Sequence, residues 1–256
     1  MSVSLRCYST SLGCPKNRVD TERLLGSLGV ALVPVESPDE AELVFINTCA
    51  FIQPATEESV RTIAQAIADI EELPKRPLLA VAGCLVGRYH AEDLAPELPE
   101  VDLWLDNSDL EAWPAMLARK LGLPEPTVPG RILSTGPSYA WLKISDGCRH
   151  ACSFCAIPNI RGGHRSHCKD MIVREARALL DQGVKELNLV AQDLTEWGCD
   201  LDGKQDLRTL LDGLLPLPGL ERLRLMYLYP AGMTHEMLKY LREAGKPFVP
   251  YFDVPV

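Results

Sequence analysis

The chain holds 256 residues with a formal net charge of −9 (35 Asp and Glu against 26 Lys and Arg), 46% hydrophobic residues and nine cysteines. That apolar share excludes a disordered chain, the acidic balance argues against a broad nucleic-acid surface, and no run approaches the ~18 apolar residues of a membrane span. The first ten residues lack the apolar core of a secretory signal, so a cytoplasmic location is expected, where disulfides are rare and an odd number of cysteines points to metal or catalytic chemistry.

In chain order, Leu5–Ser9 reads as a strand and Gly13–Asn17 as a turn. A helix follows, with Val19, Leu24, Leu25 and Leu28 on one face and Gly29 as its stop. Ala41–Asn47 is the second strand. Pro54 opens a long helix to about Glu72, carrying Val60, Ile63, Ile67 and Ile70 at helical spacing. Pro77–Ala82 is the third strand, followed by a short helix near Gly87–Ala95. Val101–Leu105 is the fourth strand, and Asp109–Leu121 is a helix that starts at an acidic cap. Strictly alternating strands and helices imply a parallel sheet with helices on its faces. The proline- and glycine-rich stretch that follows reads as a linker.

Beyond the linker the alternation resumes. Strands are expected at Tyr139–Ser145, Lys185–Gln192, Arg222–Tyr229 and Phe248–Val254, and helices at Lys169–Gln182, Asp206–Leu215 and Thr234–Ala244. A closed βα barrel needs roughly 200 residues or more, so this half reads as an incomplete one. The expected organisation is an α/β chain with a doubly wound parallel-sheet domain over residues 1–125, a linker over 126–137 and a partial βα barrel over 138–256.

Six cysteines form two sets. Cys148, Cys152 and Cys155 make a C-x₃-C-x₂-C run in a loop after a strand. Three thiolates in one loop can hold a four-iron cluster with one iron left open, and an open iron can chelate an amine and a carboxylate. A zinc knuckle completed by His150 or His164, and a chance grouping of inert thiols, are the bland alternatives. Cys14, Cys49 and Cys84 are spaced 35 residues apart, about one βα repeat, and each follows an expected strand. Loops at the carboxyl ends of parallel strands share one edge, where ligands bind, so these three can meet at one point. Three separately buried thiols are the alternative. Gly13 and Gly83 precede Cys14 and Cys84 and would let backbone come close to a bulky group.

The cysteine run, with Phe154 before its last cysteine, resembles the radical S-adenosylmethionine (SAM) superfamily signature. Together with Gly13–Asn17, Asn47-Thr48-Cys49, Ala82-Gly83-Cys84, Ile157–Gly162, Gly183–Glu186, Val190–Asp193 and Leu228-Tyr229-Pro230, it resembles the radical SAM methylthiotransferases along the whole chain. The resemblance implies two [4Fe–4S] clusters and SAM. Cys148, Cys152 and Cys155 would ligate the radical SAM cluster, and Cys14, Cys49 and Cys84 an auxiliary cluster whose open iron holds the sulfur to be transferred. Phe154 would lie near the SAM adenine, and Gln192 and Asp193 at the SAM-binding mouth. One SAM would serve as methyl donor and a second as radical source, with an external electron donor and no side-chain general base.

Pro15-Lys16 and Ile157–Arg161 resemble the branch that modifies the β-carbon of an aspartate in a small-subunit ribosomal protein. The branch acting on adenosine in transfer RNA is the alternative, and a non-catalytic iron–sulfur fragment a second. An acidic chain also suits a basic protein partner better than a polyanion. Lys16, Asn17, Asn47 and Thr48 are candidates to hydrogen-bond cluster sulfurs or simply to cap turns. The stretch Arg149, His150, Arg161, His164, Arg165, His167 and Lys169 reads either as a solvated loop or as a surface toward substrate or SAM. Cys7, Cys168 and Cys199 read as packing or surface thiols. Ser166-His167 stands where the family commonly has Ser-Arg, and the family continues past residue 256, so the chain is expected to be truncated at its fourth barrel strand.

Overall fold

The structure is a computed structural model that describes residues 4–150 and 152–254. They form two compact units, one of residues up to 132 together with Asn159–Arg161, the other of Leu133–Pro158 and the residues from Gly162 onward. Each has a parallel sheet of its own.

The first unit runs β1 (Ser4–Ser11), α1 (Pro15–Ser27), β2 (Ala31–Pro34), β3 (Leu43–Thr48), α2 (Gln53–Ile70), β4 (Leu78–Gly83), α3 (Cys84–Tyr89), α4 (Ala91–Leu94), β5 (Leu103–Leu105) and α5 (Trp113–Leu121). Its five strands are all parallel, in the order β2-β1-β3-β4-β5. This is the doubly wound order whose switch point, where ligands bind, lies between β1 and β3. All six residues of β3 are buried, because a central parallel strand is covered on both faces and therefore reads as an unbroken apolar run. Leu43 and Phe45 join Ala80 and Ala82 of β4 in a core with Leu24 and Leu25 of α1 and Trp113 and Leu117 of α5. The strand alternation sends Val44 and Ile46 to the opposite face, where α2 buries Ile63, Ala66 and Ile70.

The second unit runs β6 (Tyr139–Lys143), β7 (Ser145–Asp146), α6 (Ile157–Arg161, whose last three residues group with the first unit), β8 (Arg165–Ser166), α7 (Lys169–Asp181), β9 (Glu186–Val190), α8 (Leu207–Leu214), β10 (Arg222–Leu225), α9 (His235–Ala244) and β11 (Phe248–Phe252). β6, β9, β10 and β11 lie side by side in chain order, all parallel, while β7 and β8 form a small antiparallel ribbon. Consecutive parallel neighbours joined by helices are the geometry of a partial βα barrel. Leu142, Leu187, Leu189, Leu223 and Leu225 from the strands pack on Ile172, Ala176 and Leu179 of α7 and on Leu207, Leu210, Leu211 and Leu214 of α8. Two helices begin where a side-chain oxygen is present to satisfy the first free N–H groups. Asp206 Oδ1 accepts from Thr209 N at 2.9 Å, and Thr234 Oγ1 from Met237 N at 3.2 Å.

Several elements differ from expectation. Ala31–Pro34 is an additional strand at the sheet edge. The short helix after β4 starts at Cys84 and breaks at His90, whose φ is 59°. β10 ends at Leu225 because Tyr227 adopts φ 66°. Part of the expected linker is strapped to α1. Gly130 N donates to Ser27 Oγ at 3.1 Å and Ile132 N to the Glu22 carbonyl at 3.1 Å, while the buried Arg131 guanidinium pairs with Glu22 at 2.7 Å.

A Cβ on Gly26 would stand 2.4 Å from the Arg131 backbone nitrogen. A mid-helix glycine-to-alanine change ordinarily stabilises by roughly 0.5–1 kcal/mol. Here Gly26→Ala is expected to destabilise by about 1–3 kcal/mol through overpacking, a reversal of sign that denaturant unfolding of the two proteins will register.

Candidate metal centres

Cys14 is the N-cap of α1 with Pro15 at the first helical position, Cys49 directly follows β3, and Cys84 is the first residue of α3 after β4. Register sets their heights. Thr48 pairs with Gly83 across β3 and β4, so Cys49 and Cys84 stand side by side one residue later, and Ser11 pairs with Asn47 across β1 and β3. Gly13 (φ 80°) turns the chain into α1, and a Cβ there would lie 2.6 Å from both Cβ and Sγ of Cys49. Gly83 (φ 98°) has the same need: a Cβ would meet the Thr48 backbone oxygen at 2.6 Å. The structure thus brings together the three positions that the spacing singled out.

Asn17 joins these loops. Its Nδ2 donates to the carbonyls of Leu12 (2.9 Å) and Thr48 (2.8 Å), the residues flanking the approaches to Cys14 and Cys49. Asn47 Nδ2 donates to the Asn17 carbonyl at 2.9 Å. Thr48 Oγ1 donates to Ala82 O and accepts from Leu85 N at 3.2 Å. Asn47 and Thr48 are therefore loop fasteners, whereas Asn17 Oδ1 also lies 3.8 Å from Cys84 Sγ. Lys16 is buried beside them. Within the buried pair, Cys84 is the more acidic thiol: the hydrogen bond from Cys49 lowers it first and the Arg161 guanidinium lowers it further. Cys49 is raised, by that same hydrogen bond and by burial.

Asn107 escaped the sequence reading. Its Nδ2 donates toward Cys84 Sγ at 3.8 Å. It stands just past β5, where Cys14, Cys49 and Cys84 stand past their own strands, and that position at the end of a fourth parallel strand is the signal that could have found it.

In the second unit, Cys148, Cys152 and Cys155 lie in the loop between β7 and α6 and are all partly exposed. A Cβ on Gly147 (φ 66°) would fall 2.1 Å from the Gly163 carbonyl, and Cys148 N donates to the Gly162 carbonyl at 3.2 Å, so the ends of the loop are pinched together. His150 N donates to Cys148 Sγ at 3.4 Å and Cys155 N to Cys152 O at 3.0 Å. Burial pushes the Cys148 thiol up. At the foot of the loop the buried Asp146 carboxylate is held by Lys143 Nζ at 2.9 Å and by His167 Nε2 at 3.3 Å, so His167 supplies it with a second polar partner.

Phe154 is 86% exposed beside these cysteines. Asp193, past the end of β9, accepts from His150 Nε2 at 2.8 Å and from Thr195 N at 2.8 Å, and His150 stacks on Tyr229 with centroids 4.2 Å apart. Both amide atoms of Gln192 are buried without a hydrogen-bond partner among the described residues. A native buried amide normally has a partner, so Gln192 stands out among the groups near this loop.

The basic stretch is largely paired. Arg149 meets Glu196 at 3.1 Å, His164 meets Ser166 and Asp200, and Arg161 is buried on Asp20. His164, Cys199 and Asp200 also gather their ligand-type atoms within 4.8 Å, as do His150, Asp193 and Glu196.

Each cysteine set fits an iron–sulfur cluster on its donor chemistry, since three thiols leave one of four irons for another ligand. In the first set, the missing side chains at Gly13 and Gly83 let the loops close around the thiols. Among the described residues no helix is long and apolar enough to cross a membrane.

Residues 6–106 match a family described only as uncharacterized, UPF0004, and residues 142–256 match the radical SAM superfamily. The ribosomal protein uS12 methylthiotransferase RimO of Nitratidesulfovibrio vulgaris (strain DP4) is 69% identical over 249 residues, covering 97% of this chain and 58% of that protein. RimO of Aquifex aeolicus (strain VF5) is 47% identical over 96% of this chain and 54% of its own length. The chain therefore spans a little over half the length of these relatives. Among solved structures, the radical SAM methyltransferase TsrM of Kitasatospora setae, with cobalamin and a [4Fe–4S] cluster bound, superposes with a TM-score of 0.62 at 13% identity, over 96% of this chain and 59% of that one. That likeness is one of fold.

The Lys143–Asp146 pair sits 1% and 5% exposed beneath the cysteine loop. Removing one member of a buried pair strands the other charge, at about 3–5 kcal/mol. Lys143→Met leaves Asp146 with His167 and is expected to lose about 3 kcal/mol, the lower end of that range, in denaturant unfolding of the metal-free chain.

Proposed function

We propose that this chain, whose halves match UPF0004 and the radical SAM superfamily and which is 69% identical to part of a RimO, is a radical SAM methylthiotransferase chain carrying the cluster- and SAM-binding machinery of an enzyme that adds a methylthio group to the β-carbon of an aspartate in ribosomal protein uS12. The observation that carries the reading is the pair of three-cysteine sets, one gathered past the carboxyl ends of parallel strands in the first unit and one carried by a single loop after β7 in the second. In this reading the first unit, with Cys14, Cys49 and Cys84, binds an auxiliary [4Fe–4S] cluster, and the second, with Cys148, Cys152 and Cys155, binds the radical SAM cluster. Cys148, Cys152 and Cys155 would hold a cluster that supplies the electron for reductive cleavage of one SAM, and Cys14, Cys49 and Cys84 would hold one that supplies the sulfur to be methylated from another SAM and takes up the electron released when that sulfur bonds to the substrate carbon. An external electron donor completes the requirement, and the setting is cytoplasmic.

The chain's own residues hold and orient. The Gly147 turn and the Cys148–Gly162 hydrogen bond set the width of the second loop, and His150 N places a dipole on Cys148 sulfur. His150 and Thr195 fix one orientation of the Asp193 carboxylate, and the unpartnered Gln192 amide offers a donor and an acceptor to SAM. Phe154 offers an exposed aromatic face to the adenine. No side-chain base is assigned to hydrogen abstraction.

Anaerobic reconstitution tests the two-cluster reading. Roughly eight irons per chain are expected, falling by about half in Cys14→Ala and in Cys152→Ala. A Cys14→Ala protein that keeps all its iron, or zinc in place of iron, overturns it. Mass analysis after incubation with uS12 and with transfer RNA separates the substrates: a methylthio gain on the peptide supports the assignment, and one on a nucleoside transfers the chain to the RNA-modifying branch. Gln192→Leu is expected to weaken SAM binding about tenfold, the worth of ~1.4 kcal/mol, with iron content unchanged, as read by equilibrium binding to the reconstituted protein.

A further inference from the structure

Arg161 belongs to the first unit by its contacts, although it is 144 positions from Asn17 and a few residues past Cys155. Its guanidinium is almost wholly buried: Nη1 and Nη2 both lie 3.2 Å from Asp20 Oδ2, and Nη2 donates to Asn17 Oδ1. A neighbouring feature seats it firmly, since a Cβ on Gly87 would be 2.4 Å from the Ile160 carbonyl, so only glycine lets that backbone come so close.

Burying a guanidinium is costly unless it is paired and hydrogen-bonded. Asp20 is one partner, but the arrangement reaches further. By donating to Asn17 Oδ1, Arg161 turns the Asn17 amide so that Nδ2 faces the Leu12 and Thr48 carbonyls that lead into Cys14 and Cys49. The same Asn17 Oδ1 lies 3.8 Å from Cys84 Sγ, so the guanidinium stands one amide oxygen away from that thiol, which it makes more acidic. One cation thus orients the amide that ties two cysteine loops together and brings positive charge near the third sulfur.

We infer that Arg161 is a positioning residue for the cluster on Cys14, Cys49 and Cys84, holding its loops in register and raising its reduction potential. This rests on the auxiliary-cluster reading above. A reduced cluster carries one more negative charge than an oxidised one, so a buried cation and N–H donors at a ligating sulfur favour reduction. Asp20, paired with the same guanidinium, opposes that effect.

The test uses the full chain carrying Cys148→Ala, Cys152→Ala and Cys155→Ala, so that only the first unit can hold iron. If this parent holds no iron after anaerobic reconstitution, the auxiliary-cluster reading fails, separately from the role of Arg161. With the parent loaded, potentiometric titration followed by electron paramagnetic resonance gives its midpoint. Arg161→Gln is expected to move the midpoint more negative, Arg161→Lys to restore most of the shift, and Asp20→Asn to move it more positive. A purely structural role would change iron content without this pattern of signs. If Arg161→Gln keeps the parent's midpoint, the inference is overturned. If Arg161→Gln binds no iron, Asp20→Asn decides: a positive shift supports the charge assignment, and an unchanged or negative one overturns it.

Discussion

The parallel hydrogen-bonded register of β1, β3 and β4 is the constraint on which the first unit depends. Because these strands are neighbours and run in the same direction, their carboxyl ends stop at one edge, and the cysteines that follow β3 and β4 directly, and β1 after the Gly13 turn, are delivered to the same place. Thr48 opposite Gly83 makes Cys49 and Cys84 adjacent without any long-range folding of loops. A slip of one residue would turn every side chain of a buried strand to the wrong face, so the core and the cysteine arrangement are enforced by the same hydrogen bonds. The second unit achieves its grouping differently. There one loop carries all three cysteines, and a glycine pinch at its base, rather than strand register, sets their spacing.

Near both sets, ion pairs are buried and tightly held. Arg161 with Asp20, Arg131 with Glu22, and Lys143 with Asp146 are ion pairs almost without solvent exposure. Such pairs seldom add net stability over an apolar core but are severe when broken. They lie where chain geometry must be exact: α1 behind the first cysteine loop, and the strand end beneath the second. The helix α1 illustrates the consequence for its own pattern. It buries Lys16, Asn17, Asp20 and Glu22 as well as Leu24 and Leu25, so it is only weakly amphipathic and earns its place through specific bonds.

What the sequence made legible follows from these same facts. The central strands were readable because full burial leaves continuous apolar runs such as Leu43–Ile46, and the 35-residue cysteine spacing was readable because it equals one strand-helix repeat. The edge strand Ala31–Pro34 was not, since it is mostly exposed and ends in proline, with too little patterning to distinguish it from a loop. Arg161 stood out only as part of a basic stretch, because its partners Asn17 and Asp20 are more than 140 positions away. Asn107 drew no reading from the sequence, because only the strand order reveals that it occupies the fourth place along the same edge. The attachment of Arg131 to Glu22 was hidden by the flexible composition around it.

The turn at Gly13 has a genetic consequence. Its positive φ disfavours any side chain, and its Cβ position is already occupied by Cys49. No base change that replaces this glycine leaves room for the cysteine behind it, whatever the polarity or charge of the newcomer. In a library of single substitutions selected for cluster assembly, position 13 would stand empty of variants beside Cys14 itself, a signature as sharp as that of a ligand from a residue that has no side chain to bind with.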